Sequence, residues 1–335
     1  MSGLTRVTYA MAPNLRVAIG ADRSDVAGHF AAEYGVATSA NVANAELQID
    51  FQPVQTPAIT GGYKTIRWRV GLQAPDDGPL VASIDLQGRP RSFGLSLVQG
   101  FFVEPLLSLA AARAGRVLLP CAAIQTEQDG LTLILGRSRS GKSSLAVRAL
   151  PGGAVVFGDD QAFLDAGGNC SRFPRRMRFY SDVRQTAPRA FSQLRPPVRT
   201  GLVALGAVRR LSRGFIAPPV RVPIEDLGQA GGLSPVPVRR IVVLERFDGI
   251  SSVQHDEISA DETAQFALEL LDDQREKLAR AGAAWAELIT TLRSAESEML
   301  RSAFRTHVVE RLRVPMAWGA TDALPVLGHL LRLPS

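Results

Sequence analysis

The sequence predicts an α/β fold, and three observations carry that prediction. Short apolar or alternating runs bounded by turn residues recur from Leu15 to Glu245. One of them, Leu131–Leu135, runs directly into a glycine-bounded loop and then into a helical pattern. Beyond Ser259 the periodicity changes to that of helices. At 335 residues with 46% apolar content, the chain can bury the core of one large domain or two ordinary ones.

Taken in order, Leu15–Ile19 is a short apolar strand, and 45–51 and Lys64–Val70 alternate as half-buried strands do. Ala74-Pro-Asp-Asp-Gly-Pro79 is a turn by composition, so Val81–Leu86 pairs back as a hairpin. Gly88-Arg-Pro-Arg-Ser92 reads as a linker that closes a small N-terminal α/β unit over 1–92. Phe101–Arg113 reads as a helix, Arg116–Ile124 as a strand, and Glu127–Gly130 as a tight turn into Leu131–Leu135. Ala154–Phe157 is a buried strand ending at Gly158-Asp159-Asp160, with Gln161–Asp165 extended after it. The Arg-, Pro- and Gly-rich stretch Gly167–Leu233 reads as short helices and long loops. Arg239–Glu245 is a further strand and ends a core over 93–258. A C-terminal helical segment, 259–335, opens with caps at Ser259 and Asp261 and has apolar positions at Phe266, Leu270, Leu271 and Leu278. A second helix follows over Ala283–Phe304.

The loop 136–143 reads G-R-S-R-S-G-K-S, the phosphate-binding pattern G-x-x-x-x-G-K-[ST]. Gly136 and Gly141 permit the tight turn that points successive N–H groups at phosphate oxygens. Arg137, Ser138, Arg139 and Ser140 complete the loop, and Ser144 opens the helix whose positive end faces the anion. Lys142 can reach the β- and γ-phosphates, and the Ser143 hydroxyl can ligate Mg²⁺. The chain has three lysines, Lys64, Lys142 and Lys277, so a chance match is expected in roughly two or three such chains per thousand.

Composition removes other classes. The net charge of +6 is carried almost wholly by arginine, which suits bidentate grip on phosphate or carboxylate. Aromatics are only 6%, and no basic run interleaved with Phe or Tyr forms a stacking platform for nucleic acid. Cys121 and Cys170 make no disulfide framework and have no metal spacing; His29, His255, His307 and His329 are scattered without ligand spacing. Met1–Asp22 lacks a signal-peptide core, and the apolar stretch Phe101–Ala114 is interrupted by Glu104 and Pro105 and is short for a bilayer. The expectation is a cytoplasmic protein with no membrane segment.

The acidic pair Asp159-Asp160 follows the loop helix almost at once, at the end of the next strand. From Leu118 to Leu164 the order is strand, hairpin turn, strand, phosphate loop, helix, strand, Asp-Asp. That arrangement resembles the HPr kinase/phosphorylase family, including related kinases of peptide natural-product (RiPP) clusters such as those for lasso peptides. The resemblance covers about fifty residues. It implies a P-loop kinase core of the HPr kinase/phosphoenolpyruvate carboxykinase type and ATP-dependent phosphorylation of a serine hydroxyl. Carried over, Gly136, Gly141, Lys142 and Ser143 hold ATP·Mg²⁺, Asp159 is the general base, and Asp160 supports it or helps hold the metal. The chemistry is coherent without the family, because phosphoryl transfer needs charge neutralisation, in-line placement and a proton acceptor.

Two departures stand out. Where the family commonly has a histidine on the preceding strand, this chain has Cys121, and a thiol cannot orient a carboxylate as imidazole can. The family's second glycine-rich loop is replaced by Arg172–Tyr180, R-F-P-R-R-M-R-F-Y, with Arg209, Arg210 and Arg213 later. These arginines are candidates for gripping the γ-phosphate or an acidic acceptor. Three readings stay open: a kinase acting on a peptide or small protein; a catalytically degenerate nucleotide-binding regulator or scaffold, favoured by Cys121 and the missing second loop; and an ATPase motor or DNA-associated P-loop protein, with Glu245 at the end of its strand. The N-terminal unit could recognise the peptide, brace the core or form a homo-oligomer interface.

Overall fold

The computed structural model describes residues 4–39, 45–54, 58–75, 78–212, 219–280 and 282–334. The expected turn residues Asp76 and Asp77, and Arg213 with the Gly-Phe-Ile that follows it, lie outside the described residues. The fold is α/β, with mixed sheets and helices in two compact units. One unit comprises 1–118 and 271–300, the other 119–270 and 301–335. The sequence places breaks after residues 92 and 258, whereas these units break after 118 and within two C-terminal helices.

The first unit opens with strands β1 (Thr5–Ala12) and β2 (Leu15–Ala21), helix α1 (Ser24–Tyr34), and strands β3 (Thr38–Ser39), β4 (Leu47–Phe51), β5 (Ile59–Tyr63), β6 (Ile66–Gln73) and β7 (Leu80–Gln87). They form a mixed sheet in the order β3-β1-β2-β4-β7-β6-β5. The parallel strands β2, β4 and β7 lie at its centre. Central strand β2 is almost wholly buried, so its apolar run is near-continuous. Peripheral β6 keeps the alternation of a strand with one wet face. The hairpin of β6 and β7 follows the sequence. Strand β1 and α1 were not legible: α1 carries Gly28 and several alanines, which blur its apolar face. That face nevertheless seats Phe30 and Tyr34 against Tyr9 and Phe51.

The expected linker at 88–92 is a connection only over 88–90; its last two residues, Arg91 and Ser92, already begin a helix. Helices α2 (Arg91–Val98) and α3 (Glu104–Arg113) run on through a π-helical turn at Gln99–Val103. Among the described residues this 91–113 helix is the one long and apolar enough to cross a membrane, and 78% of its apolar window is buried inside the fold. It is a core helix by that measure. Pro105 follows directly on the π-helical turn, at the start of α3, and does not break the helix.

The expected single strand 116–124 is two, β8 (Arg116–Leu119) and β9 (Cys121–Thr126), separated at Pro120, which cannot donate to a ladder. In the second unit β9 pairs antiparallel with β10 (Gly130–Leu135), and helix α4 (Lys142–Ala149) follows the loop. Next come β11 (Val155–Gly158), β12 (Ala162–Asp165), β13 (Asn169–Arg172) and β14 (Met177–Phe179). Helices α5 (Val183–Thr186), α6 (Pro188–Gln193) and α7 (Pro196–Leu211) then lead to β15 (Val220–Val222), β16 (Gln229–Ala230) and β17 (Val236–Phe247). The chain ends with β18 (Gln254–Ile258), α8 (Ala260–Ala279), α9 (Ala283–Phe304), β19 (Val309–Pro315) and α10 (Ala320–Leu330). Strand β17 lies parallel to both β10 and β19, and β11 lies on the far side of β9. The loops after β10 and β11 therefore open at neighbouring positions of one sheet. Helix α4 packs on β9, with α10 against it, around Leu145, Val156, Leu244 and Leu324.

Helix α8 begins with the expected cap at Ser259: its hydroxyl accepts from the Glu262 N–H, and the Ser259 N–H donates to the Glu262 carboxylate. Strand β19 and helix α10 were not foreseen; β19 is a short, buried parallel strand that carries four charged or proline positions among its seven residues, which hides its periodicity.

Within the first unit, Arg275 and Glu296 are both almost fully buried and bonded twice at 2.6 Å, with the Ser108 hydroxyl accepting a third bond at 2.5 Å. Arg275→Met should cost about 3–5 kcal/mol in a denaturant melt of the full chain, because Glu296 is left buried without its cation. Replacing Glu296 by Leu as well should recover most of that loss. A single variant as stable as the wild type would contradict this account.

Candidate functional site

The site starts at the end of β10. The backbone turns at Gly136, where a Cβ would lie 2.6 Å from the Leu244 carbonyl oxygen and 2.7 Å from Ser140 Oγ, so no side chain fits. It turns again at Gly141, whose φ of +110° is in the region that side chains rarely adopt. Between them Ser138 and Arg139 are exposed while Ser140 is buried. Ser140 Oγ has no hydrogen-bond partner among the described residues. A buried hydroxyl without a partner costs free energy, and a ligand oxygen at the loop would relieve it.

The Lys142 side chain is only 6% exposed. Its ammonium donates to the Gly136 carbonyl at 2.5 Å and the Arg137 carbonyl at 3.0 Å, inside the loop itself. Burial lowers its pKa, against the attraction of Asp160, Cys121 and Asp159. Ser143, in the first turn of α4, donates its hydroxyl to the Asp159 carbonyl at 3.1 Å, which ties the helix start to the end of β11.

Asp159 and Asp160 are adjacent in sequence but differ in environment. Asp159 is 6% exposed, and burial pushes its carboxyl up to about 6, although Arg175 opposes the shift. Asp160 sits among the same protein groups with half of its side chain accessible. Burial acts upward on it too, but Arg175 and Lys142 outweigh that and hold the carboxyl below its ordinary value. Arg175 makes the division. It is 4% exposed, donates to Asp160 Oδ2 at 3.2 Å, and stands 4.0 Å from Asp159 Oδ1. One carboxylate is thus fixed as an anion beside a cation, while its neighbour titrates close to neutrality.

A cavity of about 900 Å³ collects these groups. Ser138, Arg139, Ser140, Gly141, Lys142, Ser143 and Ser144 line it from the loop side, facing Asp159, Asp160 and Arg175. Gly136 lies behind the lining, and Arg137 is not part of it. Arg137 donates to Glu269 at 2.7 Å and its guanidinium lies 5.8 Å from the Phe266 ring centroid, so α8 holds it. Of the other arginines, Arg178 and Arg209 reach the cavity, together with Tyr180. Arg172 instead donates to Glu225 at 2.7 Å. Arg210 is exposed and does not line the cavity.

Cys121 is fully buried on β9 opposite Leu135, the last residue before the loop. Burial pushes its thiol up to about 12, against the pull of Lys142, so it stays protonated at neutral pH and is neither base nor nucleophile there. His255 faces Glu310 at 3.2 Å rather than Asp256, which pairs with Arg311 and Arg313. Among the described residues no three His, Cys, Asp or Glu side chains cluster as a metal site. Glu245 lies on β17 beside Arg313 of β19 and is not in the cavity lining. Sequence reasoning placed Arg175 in a cluster but could not single it out; its pairing depends on the β12–β13 hairpin returning the chain toward the end of β11. Comparison with protein-family models finds no match, and comparison with curated proteins finds no relative.

The raised carboxyl has a consequence for stability. Asp159 folded titrates above its unfolded value, so the folded state holds the proton more tightly and loses stability as pH rises from about 4 to about 6. Asp159→Asn removes that penalty. Its thermal midpoint should exceed that of the wild type at pH 7.5 and match it at pH 4; an equal difference at both pH values would contradict the assignment.

Proposed function

We propose that the chain is an ATP-dependent kinase that transfers the γ-phosphoryl group to a hydroxyl, a serine of a peptide or small protein, from a P-loop core of the HPr kinase/phosphoenolpyruvate carboxykinase type. One observation carries the reading: a single cavity is lined by the phosphate-loop residues, buried Lys142 and Asp159, whose carboxyl burial pushes up to about 6. A general base works best when its pKa lies close to the working pH.

In this scheme the N–H groups of 138–144 and the Ser140 hydroxyl hold the phosphate oxygens, and Lys142 leaves its carbonyl partners for the β- and γ-phosphates. Ser143 and Asp160 would hold Mg²⁺, whose charge screens the phosphates; a hydroxyl and an ionised carboxylate are the hard oxygen donors it prefers. Asp159 takes the acceptor's proton as the acceptor oxygen bonds to the γ-phosphorus and the bond to the ADP oxygen breaks. Arg175 is a positioning residue, because it keeps Asp160 anionic and leaves Asp159 to titrate. Arg178 and Arg209, which line the cavity, would neutralise charge on the transferring group or on the acceptor.

A second reading, a degenerate nucleotide-binding regulator, is favoured by the inert Cys121 thiol where a histidine would orient the base. The ATPase-motor reading has less support, since the carboxylates at the cavity are Asp159 and Asp160 rather than Glu245.

With labelled ATP and candidate peptide acceptors, the wild type should transfer phosphate. Asp159→Asn should lower the rate by about 10²–10⁴-fold while nucleotide binding persists. Lys142→Ala should weaken nucleotide binding itself. The wild-type rate should fall as pH drops below about 6, where Asp159 becomes protonated. Unaltered transfer by the Asp159 variant would reject its role, and nucleotide binding without any transfer would favour the regulator.

A further inference from the structure

Helix α7 buries remarkably little for its length, and what it leaves exposed is patterned. Of its sixteen residues, only Leu202 is buried among those described. Leu202, Gly206 and Arg209 recur at helical spacing on its inner face: a Cβ at Gly206 would stand 3.3 Å from Ser181, and Arg209 reaches the cavity. Ala204, Val208 and Leu211 recur at i, i+4 and i+7 on the opposite, outer face. Val208 is 38% exposed and Leu211 87%; Val203, 51% exposed, lies on the flank of the helix, about 100° round from Ala204. Isolated exposed apolar residues need no explanation, but an outward stripe on a helix that also serves the cavity does.

The surrounding charge selects what such a stripe could receive. From Val183 to Ser212 the sequence has six arginines, at 184, 189, 195, 199, 209 and 210, and no carboxylate. Arg195 is engaged by Asp226 at 2.7 Å. Arg199 and Arg210 flank the outer stripe on the side of Val203. Two copies of α7 packed on each other would bring these cations together, which disfavours self-association. A nucleic acid would satisfy the charge but has no side chains for the apolar stripe.

We propose that α7 is the docking helix for an acidic, apolar peptide segment of the acceptor. Leucine-like side chains cover Ala204, Val208 and Leu211, carboxylates meet Arg199 and Arg210, and the same helix delivers Arg209 to the cavity in which the hydroxyl reacts. The acceptor's role rests on the kinase reading, but docking does not, so binding is measured without phosphoryl transfer.

The probe is a fluorescein-labelled twelve-residue peptide of alternating Glu and Leu with one central Ser, titrated with the full chain and read by anisotropy. A second peptide has every Glu replaced by Lys, and vesicles of mixed phosphatidylserine and phosphatidylcholine are tested by co-sedimentation. The acidic peptide should bind at least tenfold more tightly than the basic one. Val208→Asp and Leu211→Asp should each weaken it about tenfold or more, as should Arg199→Glu with Arg210→Glu, while nucleotide affinity stays unchanged. Equal affinity for both peptides, or binding indifferent to the α7 variants, would overturn the proposal. Vesicle binding without peptide binding would replace it with a membrane surface. A sedimenting dimer that Leu211→Asp converts to monomer would replace it with self-pairing. If docking holds and phosphate transfer fails, the kinase reading is at fault and the docking surface stands.

Discussion

The site depends on the burial of Lys142. An ammonium taken out of water must be paid for in hydrogen bonds and opposite charge. The chain meets that demand with two carbonyls of its own loop and with Asp160 and Asp159 nearby. The glycines at 136 and 141 are what permit it: they let the loop close tightly enough for its carbonyls to reach the ammonium. The Asp pair in turn needs Arg175, which is as deeply buried as Lys142. Two cations and two carboxylates thus constrain one another, and the difference between Asp159 and Asp160 follows from which of them Arg175 bonds.

In the proposed reading this arrangement binds an anion whose charge changes during reaction. Lys142 has alternative acceptors within the loop, so it can move from carbonyl to phosphate with a short excursion. Asp160, held ionised, is ready for a cation, and Asp159 is ready for a proton. The proposed kinase chemistry uses each group in the protonation state that its surroundings favour, which is the reason for preferring it over readings that use Glu245 or the Cys121 thiol.

How much of this was legible in the sequence follows the range of the interactions. The loop, Lys142 and Ser143 are set by a local strand–turn–helix and could be read directly. Asp159-Asp160 was legible because one helix and one strand return the chain to the same sheet edge. Arg175 was not, since a hairpin of two further strands must bring it back. The break at Pro120 was missed for a different reason: the buried apolar runs on either side carry no periodicity to mark where an element stops. The start of the long core helix at Arg91 was hidden by the Gly-Arg-Pro-Arg-Ser composition, which reads as a linker. The α7 stripe was obscured by the Arg-, Pro- and Gly-rich composition around it, which reads as loop.

The most direct measurement is a crystal structure of the full chain with Mg²⁺ and a non-hydrolysable ATP analogue. The account predicts the β- and γ-phosphates against the N–H groups of residues 138–144, the Lys142 ammonium moved from the Gly136 carbonyl onto them, and Asp159 facing the terminal phosphorus. Nucleotide bound elsewhere with Lys142 still on its loop carbonyls, or both aspartates directed away from the phosphates, would contradict it.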